Sequence, residues 1–141
     1  MDLLQLTLRQ GSVYYMQDRR LTSAEPHFFI VVNRLPLRDR VVLLAVSTSQ
    51  VENLKRMRRS TPPECVVELA PADYPEFTTP SAVDCNFLFE MTLAELRERQ
   101  MTKQARGLRD LPKPALQALI RGVLASPLVK QAHKDLVLVR R

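Results

Sequence analysis

The chain has 141 residues, of which 45% are hydrophobic and 26% are charged, and it contains only three glycines. This composition is typical of one packed globular domain, and it excludes collagen-like, low-complexity and disordered chains. The 21 Lys and Arg residues outnumber the 15 Asp and Glu residues and give a net charge of +6, which favours a polyanion or an acidic protein as the partner.

The location of the protein is predicted from what the sequence lacks. Its longest apolar run, residues 41–46, is far shorter than the roughly 20 residues that a membrane span needs. The first residues do not show the basic and apolar segments of a secretory signal. Cys65 and Cys85 stand in neither a CxxC nor a zinc-ligand spacing, which favours two reduced thiols, with a disulfide between them as the alternative. We therefore expect a cytoplasmic protein with no membrane association, no metal and no cofactor.

Five strands are predicted where β-branched and aromatic clusters recur between turn-forming segments. They cover residues 13–17, 27–33, 40–48, 65–69 and 81–91. The third strand contains six apolar residues in succession, which is typical of a central strand covered on both faces. The short segment 34–39 contains a proline and predicts a hairpin loop between the second and third strands.

The pattern becomes helical after Met91. Thr92 followed by Glu95 is the spacing of a capping box, which marks the start of a helix. A second helix is predicted from near Leu111, with an apolar stripe over residues 116–124, and it ends at the Ser-Pro pair 126–127.

The end of the chain leaves two alternatives open. Residues 128–133 predict a further helical turn, and residues 136–139 predict either a final strand or a disordered end. We expect one domain over residues 1–141 that is mainly β with appended helices. Its first part, about residues 11–91, is expected to form a small, highly curved barrel. Its second part, about residues 92–134, is expected to be helical.

The sequence lacks several common enzyme motifs, and this limits the chemistry that the protein could perform. The sequence contains no GxSxG, Walker-type, GxGxxG or HExxH motif. His27 opens an apolar strand, where an imidazole acts either as a general base or as a capping or packing residue. Thr48 and Ser49 close the central strand; such hydroxyls either bond local backbone or, opposite Arg19 and Arg20, complete a phosphate site.

A basic run follows the central strand. It consists of Lys55, Arg56, Arg58 and Arg59. The run fits a solvated loop or short helix, and it equally fits a patch that tracks the backbone of a nucleic acid. The sequence alone does not decide between these two interpretations.

The order of the motifs resembles the PemK/MazF-like toxins of toxin–antitoxin systems. The motifs are Gly11 with Val13, an arginine-bearing loop, HFFIVVN, VVLLAVSTS, VVEL, SAVDCN and LAELRER. The resemblance implies an SH3-like barrel of the PemK/MazF/CcdB type, a homodimer, and an acidic antitoxin protein as partner. It also implies an endoribonuclease that cleaves single-stranded RNA without a metal, by attack of a ribose 2′-hydroxyl on the adjacent phosphorus.

The same resemblance assigns roles to individual residues. Arg19 or Arg20 corresponds to the family's loop arginine and would stabilise charge on the phosphoryl oxygens. Thr48 with Ser49 would hydrogen-bond the phosphate. His27 is not a generic catalytic residue of the family, but it is the candidate proton acceptor for this mechanism if it points into the groove. Many family members have an acidic residue where this chain has Ser12. That departure supports the alternative of a noncatalytic module, with the same barrel, that binds RNA or protein.

Overall fold

The computed structural model describes residues 2–21 and 25–138, which form six strands and six helices. The strands are β1 (Val13–Met16), β2 (His27–Val31), β3 (Val41–Thr48), β4 (Val66–Leu69), β5 (Ser81–Thr92) and β6 (Ala105–Leu108). The helices are α1 (Leu3–Thr7), α2 (Pro36–Asp39), α3 (Val51–Met57), α4 (Leu93–Met101), α5 (Lys113–Ala125) and α6 (Gln131–Val137), with a 3-10 turn at Pro63–Cys65. None of the helices in the described ranges combines the length and the apolar character needed to cross a bilayer.

The strands form one open antiparallel sheet in the order β4-β5-β3-β2-β1-β6. The fold is therefore mixed α and β. The prediction of a barrel was wrong, because the sheet is open and does not close on itself. The physical reason is that both faces of the sheet are covered. A small barrel buries only its interior face, whereas here α5 and α6 pack on one face and α1 and α4 on the other.

Alternation along β3 supplies both cores of the protein. Leu43 and Ala45 point to the core on the α5 side, whereas Val42 and Leu44 point to the core on the α1 side. We call these the α5 core and the α1 core. All four side chains are fully buried, and β3 lies between β2 and β5. The prediction of a central strand covered on both faces is confirmed.

Two of the predicted helices are found, with the start of the first and the end of the second where the sequence placed them, whereas the predicted turn over residues 128–133 is helical only from residue 131. Thr92 caps α4, and its hydroxyl accepts a hydrogen bond from the backbone N–H of Glu95 at 3.1 Å. The second predicted helix is α5, and Ser126 is its C-cap. Residues 131–137 are helical. The alternative of a final strand over residues 136–139 is therefore wrong for Leu136 and Val137, which both belong to α6. Residue 139 lies outside the described residues.

An irregularity in β5 shapes one end of the sheet. Leu44 pairs with Phe89 and Val46 pairs with Asp84, so two steps along β3 correspond to five steps along β5. Asp84 Oδ1 accepts hydrogen bonds from the backbone and side-chain nitrogens of Asn86, at 3.0 and 3.1 Å. This β-bulge leaves the side chain of Phe87 standing out from the sheet, because the extra residues cannot all pair with β3.

Candidate functional site

A groove of about 340 Å³ lies between the end of the sheet and α3. Leu21, Val46 and Phe89 line it and also belong to the α1 core or pack against it, which places the groove on that face of the sheet. The remaining lining residues are His27, Ser47, Thr48, Gln50, Asn53, Leu54, Met57, Arg58, Asp84 and Phe87. The groove therefore brings together β2, β3, α3 and the bulge of β5.

His27 lines this groove and carries one ring nitrogen that has no hydrogen-bond partner. Its Nδ1 lies 3.0 Å from the carbonyl oxygen of Ser47. A carbonyl oxygen only accepts, so Nδ1 carries the hydrogen and Nε2 of the neutral ring carries a lone pair. Nε2 is buried without a hydrogen-bond partner, alone in this respect among buried side-chain nitrogen and oxygen atoms of the described residues. Such a nitrogen is suited to accept a proton or a hydrogen bond.

The two hydroxyl residues that end β3 differ in position. Thr48 lines the groove, and its hydroxyl oxygen accepts a hydrogen bond from the backbone N–H of Gln50 at 3.0 Å. The hydrogen of that hydroxyl remains available for donation to a ligand. Ser49 is exposed and is not among the residues that line the groove. The structure thus places Thr48, and not Ser49, next to His27.

Arg58 is anchored at the edge of the groove by Asp84. Its Nε and Nη2 donate to the same carboxylate oxygen, at 3.1 and 2.8 Å. Both side chains are largely buried, with 21% and 16% of their surface exposed. Among the described residues, Nη1 of Arg58 has no acceptor, so this nitrogen can bind an anion while Asp84 holds the rest of the group.

The other cations of the basic run lie on the outer side of α3 or just after it. Lys55 makes an ion pair with Glu68 at 3.1 Å, and Arg56 donates to the side-chain oxygen of Asn53. Arg59 is exposed, and no described acceptor contacts its guanidinium group. The sequence left a loop or a short helix open for this run; Lys55 and Arg56 are helical, whereas Arg58 and Arg59 follow the end of α3.

Arg20 is held at three nitrogen atoms. Nε and Nη2 donate to the carboxylate of Asp18 at 3.0 and 2.9 Å, and Nη1 donates to the carbonyl oxygen of Glu90 at 3.0 Å. The guanidinium carbon lies 4.9 Å from the ring centroid of Phe89. Arg99 also pairs with Asp18, at 3.2 Å. Arg20 therefore has a structural role in addition to any role toward a ligand.

Asp18 is the buried centre of this network and is only 3% exposed. The hydrogen bonds from Arg20 lower the pKa of Asp18 to about 2, against the burial that raises it. Asp18 is therefore ionised throughout the neutral range, and its charge is balanced by two arginines. Arg19, the other loop arginine, is exposed, and the described part of the structure gives its side chain no ion pair or hydrogen bond.

Sequence reasoning missed several residues of the groove, among them Asp84 and Phe87. Asp84 was treated only as part of a strand motif, although it orients Arg58. Phe87 was treated as a strand residue, although it is 53% exposed at the bulge. Only a weak signal in the sequence could have indicated the bulge. Strand β5 has twelve residues, which is long for a strand of a small domain and favours an irregularity within it.

The cysteines and the carboxylates are the other side chains that could carry chemistry. Cys65 and Cys85 are both buried free thiols, and burial raises the pKa of each. Buried thiols of this kind are poor nucleophiles. Within residues 2–21 and 25–138, no group of three or more His, Cys, Asp or Glu side chains is placed to hold a metal ion.

No protein-family model matches the chain, and no curated protein shows significant similarity to it in sequence. The resemblance to PemK/MazF-like toxins therefore rests on the short motifs of the sequence alone.

Proposed function

We propose that the protein is a toxin-like endoribonuclease that binds single-stranded RNA in this groove and cleaves it without a metal ion. One observation carries the proposal: His27, whose buried Nε2 has no hydrogen-bond partner, lines a groove together with Thr48 and Arg58. A proton acceptor, a hydroxyl donor and a cation are the groups that cleavage by a ribose 2′-hydroxyl requires.

The proposed reaction is a transesterification. Nε2 of His27 takes the proton of the 2′-hydroxyl while the 2′-oxygen bonds to phosphorus. The bond from phosphorus to the 5′-oxygen breaks, and that oxygen leaves with a proton from solvent. Nε2 of His27 then releases its proton to solvent, which restores the neutral ring. The products are a 2′,3′-cyclic phosphate and a 5′-hydroxyl, so atoms and charge balance without an oxidant or reductant.

Charge on the phosphoryl oxygens must be stabilised during this step. Nη1 of Arg58 and the hydroxyl of Thr48 are two donors available in the groove, and preorganised donors of this kind lower the barrier most effectively. Arg19 or Arg20, with Ser49, remain the residues that the family resemblance assigns to the phosphate. Arg19 has the freer side chain of the two, since Arg20 is held by Asp18.

The partners also belong to this proposal. A type II toxin–antitoxin system supplies an acidic antitoxin, and the net charge of +6 supports an acidic segment as the natural inhibitor. The resemblance further implies a homodimer in the cytoplasm and an SH3-like arrangement of the strands. We keep these finer statements as proposals for the open, mixed α and β fold described above.

A second candidate is a noncatalytic RNA- or protein-binding module with the same fold. The engagement of Arg20 by Asp18 and by the carbonyl oxygen of Glu90 favours it, because a loop arginine so occupied has fewer donors for a reacting phosphate. This candidate predicts a stable complex and no product.

The experiment is incubation of the purified protein with a long single-stranded RNA in EDTA, followed by chemical mapping of new ends. Discrete fragments with 2′,3′-cyclic phosphate ends are expected. An RNA with one 2′-deoxyribose at the cleaved position is the matched control, and it should resist cutting there because the nucleophile is missing. Intact RNA that nevertheless binds the protein would replace the proposal with the noncatalytic candidate.

A further inference from the structure

Phe87 and Met57 are large apolar side chains that are 53% and 63% exposed, and both line the groove. Exposed apolar groups gathered in one groove mark a binding surface more often than chance exposure does. We propose that this apolar half of the groove binds one unpaired nucleobase of a single-stranded RNA. The proposal rests on the function proposed above and names the part of the substrate that this half of the groove holds.

The ring of Phe87 is prepared for stacking. It stands edge to face against Phe89, with centroids 4.8 Å apart and an interplanar angle of 73°. Phe89 is itself buried and fixed in the α1 core. Phe89 therefore holds the ring of Phe87 in place, while much of Phe87 stays exposed in the groove. Because the ring is already ordered, binding a base costs little conformational entropy.

The polar lining of the same half distinguishes a base from an apolar peptide side chain. Gln50 and Asn53 line the groove, and the amide nitrogen of Asn53 donates to the amide oxygen of Gln50. Among the described residues, no acceptor contacts Nε2 of Gln50, so its two hydrogens are free to reach the ring nitrogen and carbonyl acceptors of a base edge. An aliphatic side chain would leave these donors without partners.

The charges beside the apolar half fit the phosphates that flank a base. Arg56 and Arg59 are exposed on and just after α3, and Arg58, directly after that helix, lines both this groove and a neighbouring cavity that Arg59 also lines. A stacking ring next to a row of cations is the arrangement that binds single-stranded nucleic acid with little dependence on sequence. Charge complementarity therefore favours an RNA strand as the occupant.

The test measures equilibrium binding of a short RNA in which every ribose carries 2′-fluoro, so that no cleavage occurs. Phe87→Leu keeps an apolar side chain of similar size and removes the ring, whereas Phe87→Tyr keeps the ring. We expect Phe87→Leu to bind roughly 5- to 150-fold more weakly, and Phe87→Tyr to bind like the unaltered protein. Leu128→Ala is the matched control, because Leu128 is 57% exposed and does not line the groove.

A second arm uses an oligomer of the same length whose sugars carry no bases. Phe87→Leu should bind this abasic strand within about twofold of the unaltered protein, because only phosphate contacts remain. Equal weakening on both strands, or none on either, would overturn the base site. This outcome can be distinguished from a failure of the proposed function. If the protein cleaves RNA but Phe87→Leu binds normally, only the base site is wrong. If Phe87→Leu loses binding to the strand with bases but the protein cleaves no RNA, only the ribonuclease function is wrong.

Discussion

Arg58, the residue directly after α3, is joined to Asp84 at the bulge of β5 through two nitrogen atoms and one carboxylate oxygen, at 3.1 and 2.8 Å. The pair is largely buried, and the backbone and side chain of Asn86 occupy the other carboxylate oxygen. Asn86 in turn accepts a hydrogen bond from the hydroxyl of Ser126, at the end of α5, at 2.6 Å. The position of Arg58 in the groove is thus fixed by a chain of contacts that reaches the opposite face of the sheet.

The first prediction concerns the strength of this pair. In a double-mutant cycle with Arg58→Gln and Asp84→Asn, we expect a coupling of about 1.5 to 3 kcal/mol in the free energy of unfolding, because charged hydrogen bonds shielded from water are strong. Urea unfolding measures it.

The Lys55–Glu68 pair provides the control for this cycle. It joins the same helix to β4 at 3.1 Å, but its side chains are 46% and 55% exposed. Its coupling should stay below about 1 kcal/mol. Equal couplings in the two cycles would show that burial does not strengthen the Arg58–Asp84 pair.

The second prediction concerns the packing of α5 on the sheet. A Cβ atom at Gly122 would lie 2.6 Å from the carbonyl oxygen of Glu64 and 3.0 Å from Sγ of Cys85. Gly122→Ala should therefore destabilise the fold by about 2 kcal/mol or more, although alanine normally favours a helix by about 0.5–1 kcal/mol. Thermal or urea unfolding measures the change.

Gly107→Ala is the matched substitution in β6. Its nearest contact would be Nε2 of Gln100 at 3.5 Å, which is an ordinary distance. This variant should unfold within about 1 kcal/mol of the unaltered protein. If Gly122→Ala is as stable as the unaltered protein, α5 must lie farther from the turn at Pro63–Cys65 than the 2.6 Å contact with Glu64 implies.

The third prediction concerns acid stability. Asp18 has a pKa of about 2 in the folded protein and 3.8 as its ordinary value. A depressed folded pKa stabilises the fold above the ordinary value, and this contribution is lost as the pH falls from 3.8 to about 2. The loss amounts to roughly 2 kcal/mol.

The measurement is the free energy of unfolding against pH for the unaltered protein and for Asp18→Asn. The unaltered protein should lose more stability across that interval, since the asparagine has no proton to gain. Glu52→Gln, at an exposed carboxylate of α3, should follow the unaltered curve. Parallel curves for Asp18→Asn and the unaltered protein would contradict the role given to Asp18.

Local patterns predicted much of this fold, and long-range pairings were harder to predict. The apolar run of β3 and the cap at Thr92 are local signals, and both were read correctly from the sequence. Strand β6 was missed because it contains Arg106 and Gly107 and pairs only with β1 at the edge of the sheet. The closure of the sheet was predicted wrongly because the covering of both faces depends on how distant helices pack.

The sequence indicated only some residues of the groove, again because local patterns do not show how distant segments pack. His27 and Thr48 were chosen because residues at strand ends face loops, and the structure places both in the groove. The burial of Asp18 between Arg20 and Arg99 depends on the packing of α4 and was not visible in the local sequence. Phe87 was missed because alternation along a regular strand does not predict a bulge.

The two histidines of the chain allow the most direct measurement. His27→Asn retains an amide nitrogen near the position of Nδ1 for the Ser47 carbonyl oxygen, but it cannot accept a proton in the way proposed for Nε2. His133→Ala removes a histidine that is hydrogen-bonded to Glu90 and does not line the groove. The rate of RNA cleavage in EDTA, with protein in excess, should fall about 100-fold or more in His27→Asn and stay unchanged in His133→Ala. Full activity in a folded His27→Asn variant would contradict the account.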